Sequence, residues 1–165
     1  GMKFFEGLTI NTYREGDVVC RWLGEPVRVL EVPGHDEGQL ALMPDSRAWC
    51  IVGDLIQGIG TVVIAKPEGN MRKYLASLRK IIELKPRAIF PSHGLGLGGV
   101  HRLEETVKHR LAREEQIRAH LAEGKTPDQM LPLIYSDIDP RLLPLARMNI
   151  ESHLDKLRED GVIAA

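Results

Sequence analysis

From the start of the chain to about Pro91, short β-rich runs alternate with glycine and proline. Asp17 to Leu23, Val27 to Val32, Gln39 to Met43, Ala48 to Val52 and Thr61 to Ala65 are rich in branched and aromatic residues and have strand length. Gly24-Glu25-Pro26, Pro33-Gly34 and Pro44-Asp45 separate them with turn chemistry. Ala48 to Val52 is almost wholly apolar, which predicts a central strand buried on both faces.

The period then changes. Met71, Tyr74, Leu75, Leu78, Ile81 and Ile82 fall on one helical face, with Asn70 placed to cap the start and Lys85-Pro86 to end it. Arg87 to Phe90 returns as a strand and runs into a glycine-rich stretch, Gly94 to Gly99, read as a flexible connector. Beyond it the texture is helical. Arg102 to Ala122 carries Leu103, Val107, Leu111, Ile117 and Leu121 on one stripe, which Glu114 interrupts. Gly124 stops that helix, and Thr126-Pro127 opens the next with an N-cap and a proline at the first helical position. A third helix starts near Asp139-Pro140 and presents Leu142, Leu145, Ala146, Asn149, Ile150, His153, Leu154 and Leu157. Gly161 ends it, and Val162-Ile163 reads as one short strand. Three helices closed by a strand describe a winged-helix-like module, so the boundaries expected are an α/β domain over 1–100 and a helical domain over 101–165.

Composition narrows the partners. With 22 Lys and Arg against 23 Asp and Glu in 165 residues, nothing in the overall charge favours nucleic acid or an anionic membrane. The last helix mixes Arg141, Arg147, Lys156 and Arg158 with Glu151, Asp155, Glu159 and Asp160, a solvated face rather than the clustered cations that phosphate binding needs. No apolar stretch approaches the ~18 residues of a membrane span. Cys20 and Cys50 form no C-x-x-C, and Cys50 lies within an apolar run, so a buried thiol and a cytoplasmic location are expected.

Three ligand-capable side chains follow apolar strands: His35 after Val32-Pro33-Gly34, Asp54 after Val52-Gly53, and His93 after Phe90-Pro91-Ser92. Functional groups collect at strand C-terminal ends in α/β folds, and two imidazoles with a carboxylate suit a first-row metal.

Pro33-Gly34-His35-Asp36-Glu37-Gly38 resembles the P-G-H-T-x-G segment of metallo-β-lactamase-fold hydrolases. Gly53-Asp54 resembles the strand end that supplies their bridging aspartate, and Pro91-Ser92-His93-Gly94 the one that supplies their last metal histidine. Pro67-Glu68-Gly69-Asn70-Met71, His109-Arg110-x-x-Arg113-Glu114-x-Gln116-Ile117 and Asn149-Ile150-x-x-His153-Leu154 resemble the subgroup with a winged-helix tail. The resemblance implies the C-terminal half of an αββα sandwich followed by that tail. It implies zinc or manganese held through His35, Asp54 and His93, and a tail that covers the substrate cleft.

The H-x-H-x-D-H string that supplies four further ligands in that family does not occur here, and Asp36 stands where threonine is usual. One histidine per metal and a shared carboxylate fall short of the three protein ligands of a catalytic zinc. The chain alone is therefore expected to be inactive, either as half of a hydrolase or as a non-catalytic dimerisation or partner-binding module derived from one. The strands also lack the sheet that would cover one of their faces. An apolar face larger than the few hundred Å² that monomers tolerate predicts a homodimer or a separate partner, the missing N-terminal half.

Overall fold

In the computed structural model, which describes residue 7 and residues 11–164, one mixed sheet carries the first part of the chain. Its strands are β1 (Val18–Trp22), β2 (Glu25–Glu31), β3 (Leu40–Pro44), β4 (Cys50–Gly53), β5 (Ala88–Pro91) and β6 (Leu97–Gly98), in that spatial order. All neighbours are antiparallel except β4 and β5, which run parallel because α1 (Met71–Leu84) crosses between them.

Register sorts the two faces. Leu30 pairs with Ala41 and Cys50 with Ile89, and these residues, with Val32, Met43 and Val52, form the core side. Against them α1 lays Met71, Tyr74, Leu75, Leu78 and Ile81, none more than 1% exposed. At about 1.5–3 kcal/mol for each large apolar side chain buried, this packing outweighs helix propensity, which differs by tenths among such residues. Asn70 accepts from Lys73 N at 3.0 Å to start the helix, and Lys85, left-handed at φ 52°, ends it. Burial in this core pushes the Cys50 thiol up to about 12.

The opposite face is open over β4 and β5, whereas Val27 and Val29 of β2 on that side are buried. Leu42 pairs with Ile51 and Ile51 with Phe90, so these side chains share one surface, where Ile51 is 45% and Phe90 44% exposed. Trp22 and Trp49 meet edge to face at 5.7 Å beside them, and Pro91 and Ser92 complete a hollow of about 510 Å³. The stretch expected to be buried on both faces is thus covered on one only, since nothing among the described residues packs over Ile51.

Three other expectations change. Thr61 to Ala65 pairs with no strand, although Val62 and Ile64 are buried; side chains take the hydrogen bonds a strand partner would. Val162-Ile163 is a turn, because both N–H groups fold back to Leu157 O and close the preceding helix. The glycine-rich stretch contributes β6, which pairs with β5 at the sheet edge.

The helical part comprises α2 (His101–Ala122), α3 (Pro127–Ile134), a 3-10 turn (Pro140–Leu142) and α4 (Leu143–Glu159). Thr126 and Gln129 form a capping box at the start of α3. Leu103 of α2 belongs to the sheet core, whereas Ile117 joins Met130, Ile150, Leu154 and Leu157 in a second core. One 22-residue helix therefore belongs to both.

Glu114, which breaks the α2 stripe, turns inward. It bonds His153 Nδ1 at 3.2 Å and Lys156 Nζ at 2.8 Å. Burial opposes ionisation of Glu114, but the bonds from His153 and Lys156 prevail and hold its carboxyl below its ordinary range. Burial, reinforced by Arg110 and Lys156, keeps His153 below the usual histidine range despite Glu114. With Nδ1 donating to Glu114, its buried Nε2 meets no acceptor, so a second proton would be stranded. His109 on α2 is also held below the usual histidine range, by desolvation and by Arg110 and Arg113.

The unfolded chain protonates its histidines near pH ~6.5, before the folded chain does. Stability is therefore expected to be complete above about pH 6.5 and to fall as the pH drops below it. Urea unfolding across that range checks this, and His153→Gln should reduce the fall without abolishing it, since His109 contributes in the same direction.

Candidate functional site

The chain leaves β2 through Pro33 and Gly34 into His35, and α1 grips this turn from beneath. Ser77 Oγ donates to Pro33 O at 2.8 Å, and Asn70 N donates to Gly34 O at 2.8 Å. Gly34 has φ +132°, and a Cβ there would lie 2.2 Å from Tyr74 N and 2.3 Å from its Cα. Only glycine lets the turn approach the helix backbone this closely. Asp36 Oδ1 then accepts Gly38 N at 2.7 Å, which gives this position a local turn role.

The His35 ring is partly buried, with Nδ1 3.0 Å from Val63 O. A carbonyl only accepts, so Nδ1 carries the proton in this contact and Nε2 keeps its lone pair. A backbone partner on one ring nitrogen is the arrangement that orients metal-ligating histidines.

Asp54 lies just past β4, after Gly53 at φ +59°. The loop is held by Leu55 N to Val52 O at 3.2 Å and by Tyr74 Oη donating to Leu55 O at 2.9 Å. His93 follows β5, steadied by Ser92 N to Gly53 O at 3.0 Å. Gly58 N donates to His93 O at 2.9 Å, and Gly58 and Gly94 touch so closely that a Cβ on Gly94 would lie 2.9 Å from Gly58 Cα. The loops after β4 and β5 are thus fastened together.

The structure brings Asp54 and His93 side by side, with His93 Nε2 3.4 Å from Asp54 Oδ1. His93 is well exposed, its side chain 70% accessible. Asp54 Oδ1 is buried and receives no hydrogen bond. A buried carboxylate oxygen without a donor is costly unless a donor or cation satisfies it. That orphan oxygen, an adjacent imidazole and the free Nε2 of His35 are donors suited to a first-row metal. His35 does not join the pair: among the described residues no three His, Cys, Asp or Glu side chains are gathered closely enough to hold a metal ion.

Tyr74, Arg110 and Asn149 escaped the sequence reading as site residues. Tyr74 looked like one more apolar position of α1, yet it abuts Gly34 and holds Leu55 O. Arg110, 2% exposed, lies over the Tyr74 ring at 5.5 Å and donates to Val62 O and, at 3.2 Å, to Asn149 Oδ1. The available signal was an arginine on the apolar stripe of α2, seven residues after Leu103 and seven before Ile117.

Residues 126–165 match the family model of the β-lactamase-associated winged-helix domain. A β-lactamase-like protein 2 homolog of Drosophila melanogaster is 31% identical over 143 residues, covering 84% of this chain and 47% of that protein. A probable metallo-hydrolase of Bacillus subtilis, YqjP, is 28% identical over 147 residues, 83% of this chain and 46% of the relative. The chain thus spans about half the length of the curated relatives it matches. Among solved structures, a β-lactamase domain protein from Burkholderia ambifaria superposes with a TM-score of 0.80 at 26% identity, over 97% of this chain and 50% of that one. The metallo-β-lactamase family protein TTHA1429 of Thermus thermophilus gives 0.73 at 25% identity, over 90% and 48%. Among the described residues no helix is long and apolar enough to cross a membrane.

Proposed function

We propose, from a chain that carries the C-terminal half of the metallo-β-lactamase fold and its associated winged-helix domain, that it supplies one side of a metal-dependent hydrolase site. The orphaned Oδ1 of Asp54 beside His93 carries this reading. His35 through Nε2, Asp54 through its carboxylate and His93 through its exposed ring are the side chains that would hold zinc or manganese. When bound, such a metal lowers the pKa of its water toward about 7 and polarises an ester, amide or phosphodiester. The chain's own residues orient the ligands: Val63 O fixes the His35 ring, Tyr74 the loop after Asp54, and Gly58 the segment after His93.

The open sheet face is where the other half of the fold belongs. Half-length coverage of the relatives, together with the uncovered Ile51 and Phe90, supports an N-terminal sheet as occupant, bringing further ligands with it. A second reading, a non-catalytic module that dimerises through the same face, is favoured by the absence of any three-ligand group among the described residues.

Zinc titration by calorimetry separates the two. The chain combined with an N-terminal half bearing H-x-H-x-D-H should bind zinc with micromolar or tighter affinity, on the order of 10-fold or more weaker with Asp54→Asn. It should also hydrolyse a model ester only when zinc is present. A complemented protein that binds no zinc, or binds it equally with Asp54→Asn, leaves the non-catalytic module.

A further inference from the structure

We propose that Arg110 and Asn149 are positioning residues for His35, so that the helical tail sets which ring nitrogen of a metal-ligand imidazole stays free. The proposal rests on His35 being a ligand as argued above, and reaches two residues that touch no ligand atom.

Two consecutive peptide units, Val62–Val63 and Val63–Ile64, are held at three points by different parts of the chain. Val62 O accepts from Arg110 Nη2 on α2. Val63 O faces His35 Nδ1 at 3.0 Å. Ile64 N donates to Asn149 Oδ1 on α4 at 3.1 Å. The two outer holds are themselves joined, since Arg110 Nη1 donates to the same Asn149 Oδ1 at 3.2 Å, and Asn149 Nδ2 reaches back to Leu145 O at 3.4 Å. Arg110 is 2% and Asn149 6% exposed, so water does not substitute for either bond.

Residues 61–65 have no ladder partner among the described strands. A free segment can rotate its peptide planes, and the Val63 carbonyl could then turn away from His35. With Val62 O and Ile64 N both pinned, and the Val62 and Ile64 side chains sunk in the sheet core, the carbonyl between them has one direction left. That direction demands a proton on Nδ1, which keeps the Nε2 lone pair available. Arg110 and Asn149 thus act at one remove, through a backbone carbonyl, in place of the side-chain carboxylate that often orients a metal-bound histidine. The same pair ties the tail to the site, because Asn149 lies within the winged-helix match and Arg110 on the helix shared by both cores.

Nitrogen-15 NMR of the metal-free chain, recorded above the imidazole titration range, reads the tautomer directly. The parent should show a protonated Nδ1 at His35. Asn149→Ser removes the amide that joins Ile64 N to Arg110 and should shift His35 toward protonation at Nε2, with His93 and His120 unchanged. Asn149→Asp keeps an acceptor for both partners and should restore the parent pattern, an outcome general loosening of the fold does not give. Arg110→Gln provides a second probe should Asn149→Ser fail to fold.

In the zinc-binding complemented protein, Asn149→Ser should cost about 10–100-fold in affinity, the range for a partner behind a ligating histidine. A folded Asn149→Ser or Arg110→Gln chain whose His35 tautomer matches the parent overturns the proposal. A shifted tautomer in a protein that never binds zinc sustains the linkage and instead rejects the metal-site reading on which its function rests.

Discussion

Gly34→Ala is expected to cost about 3 kcal/mol or more of folding stability. Two penalties combine. The backbone at φ +132° is one that side chains rarely adopt, a strain of about 1–3 kcal/mol. The new Cβ would also lie 2.2 Å from Tyr74 N, a backbone atom in the first turns of α1 that cannot swing aside as a flexible side chain could. Relief requires the turn before His35 to lift off the helix, which breaks Asn70 N to Gly34 O and withdraws the ring from Val63 O. Gly38→Ala is the control: its Cβ would meet only Asp36 Oδ1, at 3.4 Å, and should change stability by less than about 0.5 kcal/mol. Urea unfolding of both variants checks the contrast. A Gly34→Ala protein as stable as its parent would show that the helix and the turn are not in contact in solution.

The second large effect concerns the open face. Ile51→Lys with Phe90→Lys places two cations where 45% and 44% exposed apolar side chains now stand, both directed away from the α1 core. Each large apolar group buried at an interface is worth about 1.5–3 kcal/mol, so the pair should lower affinity for a covering surface by about 100-fold or more. Light scattering and sedimentation should find the parent chain associated, or bound to an N-terminal half, and the double variant monomeric. Thermal unfolding should barely change, because neither side chain contributes to the sheet core. A parent chain that stays monomeric and ignores the N-terminal half would mean that this face is no interface.

Much of the architecture could be read from pattern. The helix over 71–84 announced itself through Asn70, its apolar stripe and Lys85, and local capping with one-sided burial is what a sequence encodes most directly. The capping box at Thr126 was legible for the same reason. Thr61 to Ala65 misled because Thr, Val, Val, Ile and Ala carry every property of a strand except a neighbour. Whether a β-prone segment finds a strand or two side chains to bond with is settled by tertiary packing, here by Arg110, 48 positions from Val62, and Asn149, 85 positions from Ile64. Glu114 was visible as a break in the α2 stripe, but its partners His153 and Lys156 belong to another helix. His35, Asp54 and His93 could be named from their places after apolar strands. That two of them stand 3.4 Å apart with one oxygen unsatisfied depends on the parallel pairing of β4 and β5, which lie on either side of a helix in sequence.

The two cysteines differ in a way that lends the open face a ready chemical handle. Cys50 is sealed in the sheet core with its thiol pushed up to about 12, so near neutral pH it presents almost no thiolate to an electrophile. Cys20 is exposed on β1, paired with Val27 across the ladder, on the same side of the sheet as Trp22. A single dye or spin label can therefore be attached at the margin of the aromatic hollow without altering the sequence. The covering of that face can then be followed from a position the natural chain already provides.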